Sequence, residues 1–296
     1  MDEKLLKEDF RIHISNKEGR GLPTLLKIQI RDLQEDFIAD QLAICRNEQL
    51  SGIPSYEEGF ARKSRWLVDM LKKTEFLSKV AYIDRAPLGM IQFYPEDCIP
   101  FLKVKRHDVL RLDCIYVTRE LQGKRIGRAL MKDMFRDARK SRRFRRVETS
   151  TFDAQSGFPQ PEFLRETGFK RMIGGNELDL EYSLSREKDS SLQGTRIVGR
   201  LQPSIIDGEK GAKLFYEPRC PLSVYFDESI TKAIHEIDSS IKVEEINIWS
   251  NPEMAIQRGV ERQTLYVNGK PIKEFFMNKE SFKEEIGRVL SGVTQG

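Results

Sequence analysis

The sequence predicts an α/β (or α+β) protein in two domains, and three observations carry the prediction. The chain has 296 residues, about two domains on length, and its 39% hydrophobic content is enough for ordinary packed cores. Strand-like alternation and helix-like periodicity follow one another along most of its length. A stretch rich in Ser, Gly and charge, 186–211, separates two such runs. The expected organisation is a first domain over 1–185, a linker over 186–211 and a smaller second domain over 212–296.

Taken in order, residues 1–33 hold two apolar runs, IHIS and LLKIQI, that suit one or two opening strands. Two helical patterns follow. The first, 36–46, has Phe37, Leu42 and Cys45 as its apolar set; the second, 56–73, has Phe60, Trp66, Leu67, Met70 and Leu71. Residues 79–84 and 90–94 read as strands joined by the turn Arg85-Ala86-Pro87-Leu88-Gly89. Val109–Val117 alternates as a strand and crowds β-branched and aromatic residues at its end. Past the polar Thr118-Arg119-Glu120, residues Ile126, Ala129, Leu130, Met134 and Ala138 recur at helical spacing, leaving Arg125, Arg128, Lys132, Arg136 and Lys140 to face water. A strand over 146–152, a short helix over 161–167, Gly168-Phe169 and a strand over 177–184 complete this half. After the connector the pattern restarts: strand 213–216, helix 221–239 with Val224, Ile230, Ile234 and Ile237 inward, strand 243–249, helix Pro252–Arg258, strand Thr264–Val267, the turn Asn268-Gly269-Lys270-Pro271, and helix Lys279–Leu290. That order is βαβαββα.

Where a strand turns directly into a helix, the helix N-terminus presents free N–H groups that suit phosphate. Gln122-Gly123-Lys124-Arg125-Ile126-Gly127 is such a turn, yet it is neither GxxxxGK[ST] nor GxGxxG. The segment resembles motif A of the GNAT superfamily of N-acetyltransferases, [RQ]-x-x-G-x-[GA] after a strand, with Gln122 first and Gly127 last. Arg125 stands in place of the middle glycine, a departure without cost if it keeps a helical φ. The element order and FLRETGFKRM, which resembles the family's late helix ending in Gly-Phe, extend the resemblance over about 27–184. It implies a mixed central sheet with flanking helices and acetyl-CoA as acyl donor. Pyrophosphate would lie on the N–H groups of Gly123, Lys124, Arg125, Ile126, Gly127 and Arg128, and the pantetheine arm along the backbone of Ile115, Tyr116 and Val117. The acceptor would be a small-molecule or peptide amine.

Acetyl transfer needs a proton acceptor and a proton donor. Asp113, Glu96 and Asp97 are candidate bases and Tyr116 a candidate acid, because the tyrosine that many members carry before Gly-Phe is Leu164 here. The second half, with Cys220 where a strand enters a helix, resembles a thioredoxin-like domain, and the combination resembles the YoaP-type acetyltransferases. Ser223 replaces the second cysteine and Gln263-Thr264 the usual proline, which leaves a single-thiol role for Cys220 at a helix start beside Pro221 and Arg219. The alternative reading is a non-catalytic acyl-CoA sensor or a thiol or soft-metal handler.

Four scattered cysteines form neither a CxxC nor a disulfide framework, so no metal centre is expected and the cytoplasm suits the chain; no run is long enough to cross a membrane. Net charge is +4, with only 16 of 50 Lys and Arg, against 17 of 46 Asp and Glu, lying past residue 185. The densest basic run, 136–146, holds Arg136, Arg139, Lys140, Arg142, Arg143, Arg145 and Arg146. A helix C-terminus welcomes such cations, and a nucleic acid is the sharper alternative. His13, His107 and His235 have no companion at ligand or triad spacing.

Overall fold

The computed structural model describes residues 10–14, 24–151, 160–173, 178–184, 203–274, 276 and 278–292. The expected linker up to residue 202, Phe152 and Glu177 at two expected strand ends, and Ser15 of IHIS lie outside the described residues.

The first half runs β1 (Phe10–Ile14), β2 (Thr24–Asp32), α1 (Ile38–Cys45), α2 (Pro54–Leu71), β3 (Ser78–Ile83), β4 (Ala86–Pro95), β5 (Val109–Val117), α3 (Ile126–Ser141), β6 (Arg146–Ser150), α4 (Gln160–Glu166), β7 (Lys170–Arg171) and β8 (Asp179–Ser183). Its strands form one sheet in the order β1-β2-β3-β4-β5-β6-β8-β7. Neighbours are antiparallel except β5 and β6, so the sheet is mixed as expected. The second half runs β9 (Ala212–Tyr216), α5 (Leu222–Ile237), β10 (Val243–Asn247), α6 (Pro252–Arg258), β11 (Thr264–Val267), β12 (Lys270–Pro271) and α7 (Lys279–Leu290), the βαβαββα order read from the sequence. Its sheet order is β10-β9-β11-β12, with β9 and β10 parallel and the rest antiparallel.

Two compact units result: Met1–Arg46, Val68–Cys98 and Lys105–Val198 form one, while Asn47–Leu67, Ile99–Val104 and Gly199–Gly296 form the other. In the first, the apolar face of α3, including Ile126, Ala129, Leu130, Met134 and Ala138, covers Ile28, Ile30, Ala81, Ile91, Phe93 and Leu112 of the sheet. Lys79 is buried under the same helix, its ammonium ringed by Asp32, Asp133 at 2.9 Å and Asp137. Burial alone would push it towards the neutral form, but the three carboxylates outweigh that and raise its pKa. In the second unit, α5 and α7 bring Ile230, Ile234, Phe282 and Ile286 onto Leu214, Leu265 and Val267. Residues 47–67 pack there too: Tyr56 meets Tyr225 edge-on at 6.4 Å between ring centroids, and Trp66 meets Trp249 at 5.3 Å.

Local geometry departs from the sequence reading in three places. The buried face of α1 is Ile38, Gln41 and Ile44, with Phe37, Leu42 and Cys45 only half-buried, because a short 3-10 turn at 35–37 rotates the entry into the helix. Both hairpins turn on two residues. Asp84 and Arg85 have φ of 48° and 70°, and Asn268 and Gly269 have 46° and 75°, the doubly left-handed pattern whose twist matches the flanking strands. Pro87 is therefore a strand residue, opposite Tyr82 where the β3–β4 register shifts and the ladder needs no donor.

Candidate active site

Strand β5 pairs with β6 only over Val109–Arg111, opposite Arg146–Glu148. From Leu112 to Val117 it keeps β4 on one side and has no β6 partner among the described residues on the other. The gap ends at the turn. The Gln122 amide donates back to Val117 O at 3.0 Å, Gly123 has φ 76°, and Arg125 caps α3 with φ 64° and ψ 9°. The expected helical φ at Arg125 is thus overturned: the residue in the middle-glycine position is left-handed, a conformation that costs a side-chain-bearing residue about 1–2 kcal/mol. Ala129 N–H bonds to Arg125 O at 3.0 Å, so the amides of Ile126, Gly127 and Arg128 precede the first helical bond and face outward. The Lys124 amide instead turns back to Leu121 O at 3.3 Å.

Side chains around this N-terminus divide the work. Lys124 and Arg125 have no carboxylate partner among the described residues, whereas Arg128 is 2.7 Å from Glu166 of α4. A Cβ on Gly127 would come within 3.2 Å of Phe163 Cζ and 3.8 Å of Ile115 Cδ1. Phe163, unremarked in the sequence, thus roofs the turn, and Leu164 beside it is wholly enclosed in the core.

Ile115 and Val117 pack towards α3, so alternation turns Tyr116 to the opposite face of the sheet, the face that carries α1. Asp113 joins a polar string there. Its carboxylate accepts from Gln92 of β4 and lies 3.4 Å from the Tyr94 hydroxyl, while Gln92 in turn accepts from Gln41 of α1 at 3.0 Å. Gln41 occupies the middle of the Ile38–Ile44 stripe, and a polar residue at a buried helical position was the sequence signal for it. Glu96 is differently placed. Buried just past β4, it is forked by Arg106, which also forks Glu148, with Arg111 3.1 Å from Glu148. Asp97 bonds Arg143 at 2.7 and 2.8 Å and His107 Nδ1 at 2.6 Å, a companion for His107 that spacing did not reveal. Of the candidate carboxylates, only Asp113 lies on β5 past Arg111, where its described pairing with β6 ends.

Residues 42–169 match the Acetyltransferase (GNAT) family. Among solved structures, the chain is similar to PaiA N-acetyltransferase from Thermoplasma acidophilum in complex with coenzyme A (19% identity, 53% of this chain and 98% of that one, TM-score 0.40). It is also similar to a GNAT family N-acetyltransferase, YhbS, from Escherichia coli in complex with CoA (16%, 60% and 91%, TM-score 0.41). A third is a GNAT family acetyltransferase from Brucella melitensis in complex with acetyl-CoA (18%, 54% and 90%, TM-score 0.37). No curated protein matches the chain.

The basic run 136–146 is largely spent within the fold. Arg136 bonds Asp133, Arg139 donates to the Tyr182 hydroxyl at 2.7 Å, Arg143 is held by Asp97 and Arg146 lies 3.3 Å from Glu148, which leaves Lys140, Arg142 and Arg145 without a carboxylate partner among the described residues. No described helix is long and apolar enough to cross a membrane.

In the second unit Cys220 is exposed just ahead of α5, and the Ser223 amide folds back to its carbonyl at 3.2 Å. Arg219, expected to support a thiolate, is forked onto Glu217 at 2.8 and 2.6 Å. Seven residues on, Asp227 is fully buried, and Gln263, the residue at the missing-proline position, donates to its Oδ1 at 2.6 Å. Burial pushes this carboxyl up to about 8; the Gln263 hydrogen bond and Arg62 oppose the rise and Glu245 adds to it.

Proposed function

We propose that the first unit transfers an acetyl group from acetyl-CoA to an amine. The observation that carries the reading is the parting of β5 from β6 after Arg111, on a strand that runs straight into an opened α3 N-terminus. The residues fit the donor: outward amides at Ile126, Gly127 and Arg128 and the nearby Lys124 and Arg125 suit a pyrophosphate, and Ile115–Val117, past the end of the described pairing with β6, would offer strand-like hydrogen bonds to a pantetheine arm. Open space around Gly123, where an added Cβ would meet nothing within 4 Å, leaves the approach clear. When bound, the donor supplies an activated acetyl thioester. Asp113 then lies where an amine coming from the α1 face would meet it, and can take one proton from the ammonium to leave a neutral amine; that nitrogen bonds the acetyl carbon as the C–S bond breaks, and its second proton passes to solvent. Tyr116, on that same face, is the candidate donor to the departing sulfur, with solvent as the other source. Residues 1–185 would be the acetyltransferase domain, and 212–296 a thioredoxin-like accessory domain of the YoaP type in which exposed Cys220 acts as a single thiol.

Enclosed Leu164, which has no hydroxyl, favours a second reading, a domain that senses acyl-CoA without turnover. Calorimetric titration with acetyl-CoA, followed by CoA release with a panel of amines, separates the two. Binding with turnover is expected; binding without turnover on any amine supports the sensor, and no binding defeats both.

A further inference from the structure

Strand β5 shares its last described rung with β6 at Arg111 and Glu148. Beyond it each strand keeps its outer neighbour: β5 stays on β4 as far as Val117, opposite Gly89, and β6 stays on β8 as far as Ser150, opposite Asp179. Two devices meet at this fork. Just above it, Gln92 pairs with Cys114 and Phe93 with Leu112, so Asp113 is the extra residue of a β-bulge, which adds twist and turns β5 away from β6. The bulge opposes closure above the rung. Opening below it meets little backbone resistance, because the described pairing is only Val109–Arg111 with Arg146–Glu148 and each ladder hydrogen bond is worth little net.

Side chains supply that resistance. Glu148 is buried, and its carboxylate accepts two hydrogen bonds from Arg106, at 2.8 and 2.7 Å, and one from Arg111 at 3.1 Å, with Arg146 at 3.3 Å. Arg106, in the loop ahead of β5, also donates through Nε and Nη2 to buried Glu96 just past β4. In the sheet, β4 and β6 flank β5, so one planar guanidinium ties the two neighbours together at the base of the strand between them. Burial alone would favour the neutral guanidine, but Glu96 and Glu148 outweigh it and raise the pKa of Arg106. A buried ion cluster adds little net stability over apolar packing, since desolvation offsets its attraction, and its best-attested use is to fix register. Here it singles out one rung among the several at which two such strands could part.

We infer that Arg106 and Glu148 are positioning residues of the donor site: with Glu96 and Arg111 they hold the rung at which β5 and β6 part, and so set how much of β5 a pantetheine arm can pair with. The inference rests on the acetyl-transfer reading and adds what keeps its donor slot in register. Loss of the fork lets the strands part lower, which moves the backbone of Ile115, Tyr116 and Val117 away from the arm. The start of α3, anchored by the packing of that helix on the sheet, stays in place for the pyrophosphate.

The test uses full-length wild type, Arg106→Lys, Arg106→Met and Glu148→Gln, with two ligands that differ by the arm: acetyl-CoA, and adenosine 3′-phosphate 5′-diphosphate, which keeps the adenosine and the pyrophosphate and lacks pantetheine. Calorimetric titration, directly or by competition, gives both affinities, and thermal unfolding shows whether each variant is folded. Wild type is expected to bind acetyl-CoA more tightly than the armless nucleotide. In Arg106→Met and Glu148→Gln that advantage should shrink about tenfold, the size of roughly one hydrogen bond to the arm, with the armless nucleotide within about twofold of its wild-type affinity. Arg106→Lys should shrink it about threefold, because an ammonium keeps the charge but cannot fork two carboxylates, and it decides the matter where a variant that removes a charge fails to fold. Deuterium exchange over 109–117 should quicken in the same order. A merely structural cluster would lower the unfolding temperature and leave the ratio of the two affinities unchanged. An unchanged ratio in the folded variants, or a wild type that gains nothing from the arm, overturns the inference and leaves acetyl transfer standing. A wild type that binds neither ligand overturns the inference and the acetyl-CoA reading together.

Discussion

Replacing Asp227 by Asn should stabilise the second unit at neutral pH and flatten its pH dependence. The carboxyl is fully enclosed and its pKa is pushed from 3.8 to about 8, while Oδ2 has no hydrogen-bond partner among the described residues. A carboxyl whose folded value lies above its unfolded value costs nothing while both states hold the proton, below about pH 4. As pH rises the unfolded chain ionises freely and the folded one does not, so stability falls until about pH 8 and then levels. At about 1.4 kcal/mol per pH unit the penalty reaches about 4 kcal/mol at pH 7, and about 3 kcal/mol of it develops between pH 5.5 and 8. Asn keeps an oxygen for the Gln263 donor at nearly the same volume and removes the titration. The assay is urea unfolding of the full chain followed by tryptophan fluorescence, since the two tryptophans, Trp66 and Trp249, both belong to this unit. Wild type should lose stability from pH 5.5 to 8 relative to Asp227→Asn, and parallel profiles for the two would refute the assignment.

At the turn before α3, Gly127→Ala asks Phe163 to yield a few tenths of an ångström and should keep acetyl-CoA affinity within about threefold, whereas Gly127→Glu puts a carboxylate where an anion would sit and should lower affinity at least about a hundredfold in calorimetry, with the helix itself favoured by an acid in its first turn. On α2, a Cβ at Gly59 would stand 1.9 Å from Pro221 O, so Gly59→Ala must shift helix or loop and should lower the urea midpoint of the tryptophan transition by about 1–3 kcal/mol equivalent. Limiting iodoacetamide at pH 7, read by peptide mass mapping, should label exposed Cys220 first and half-buried Cys98 last, since burial and Asp97 push the Cys98 thiol up. Limited proteolysis should cut first within 186–211, on composition; a first cut inside 100–180 would move the proposed boundary.

Much of the architecture was legible because periodicity is a local property. The face of α3 that carries Ile126, Ala129, Leu130, Met134 and Ala138 repeats every turn, and the same residues line the core of the first unit. The βαβαββα order after residue 211 is equally local, as are the Asn-Gly turn and the helix-opening turn at Gly123. Long-range pairing was not legible. The bulge at Asp113 exists only in the register between β4 and β5, and the string from Gln41 through Gln92 to Asp113 joins positions as far as 72 apart along the chain, so no window of sequence contains it. Glu96 and Asp97 looked like Asp113 in sequence, three carboxylates at strand ends, until Arg106, Arg143 and His107 folded onto the first two. Sequence determines which residues can bear charge and which face of an element is apolar, since both depend on near neighbours. Which charge is matched, and which amide is left with an acceptor unmet, depends on partners that only the tertiary fold brings within 3 Å.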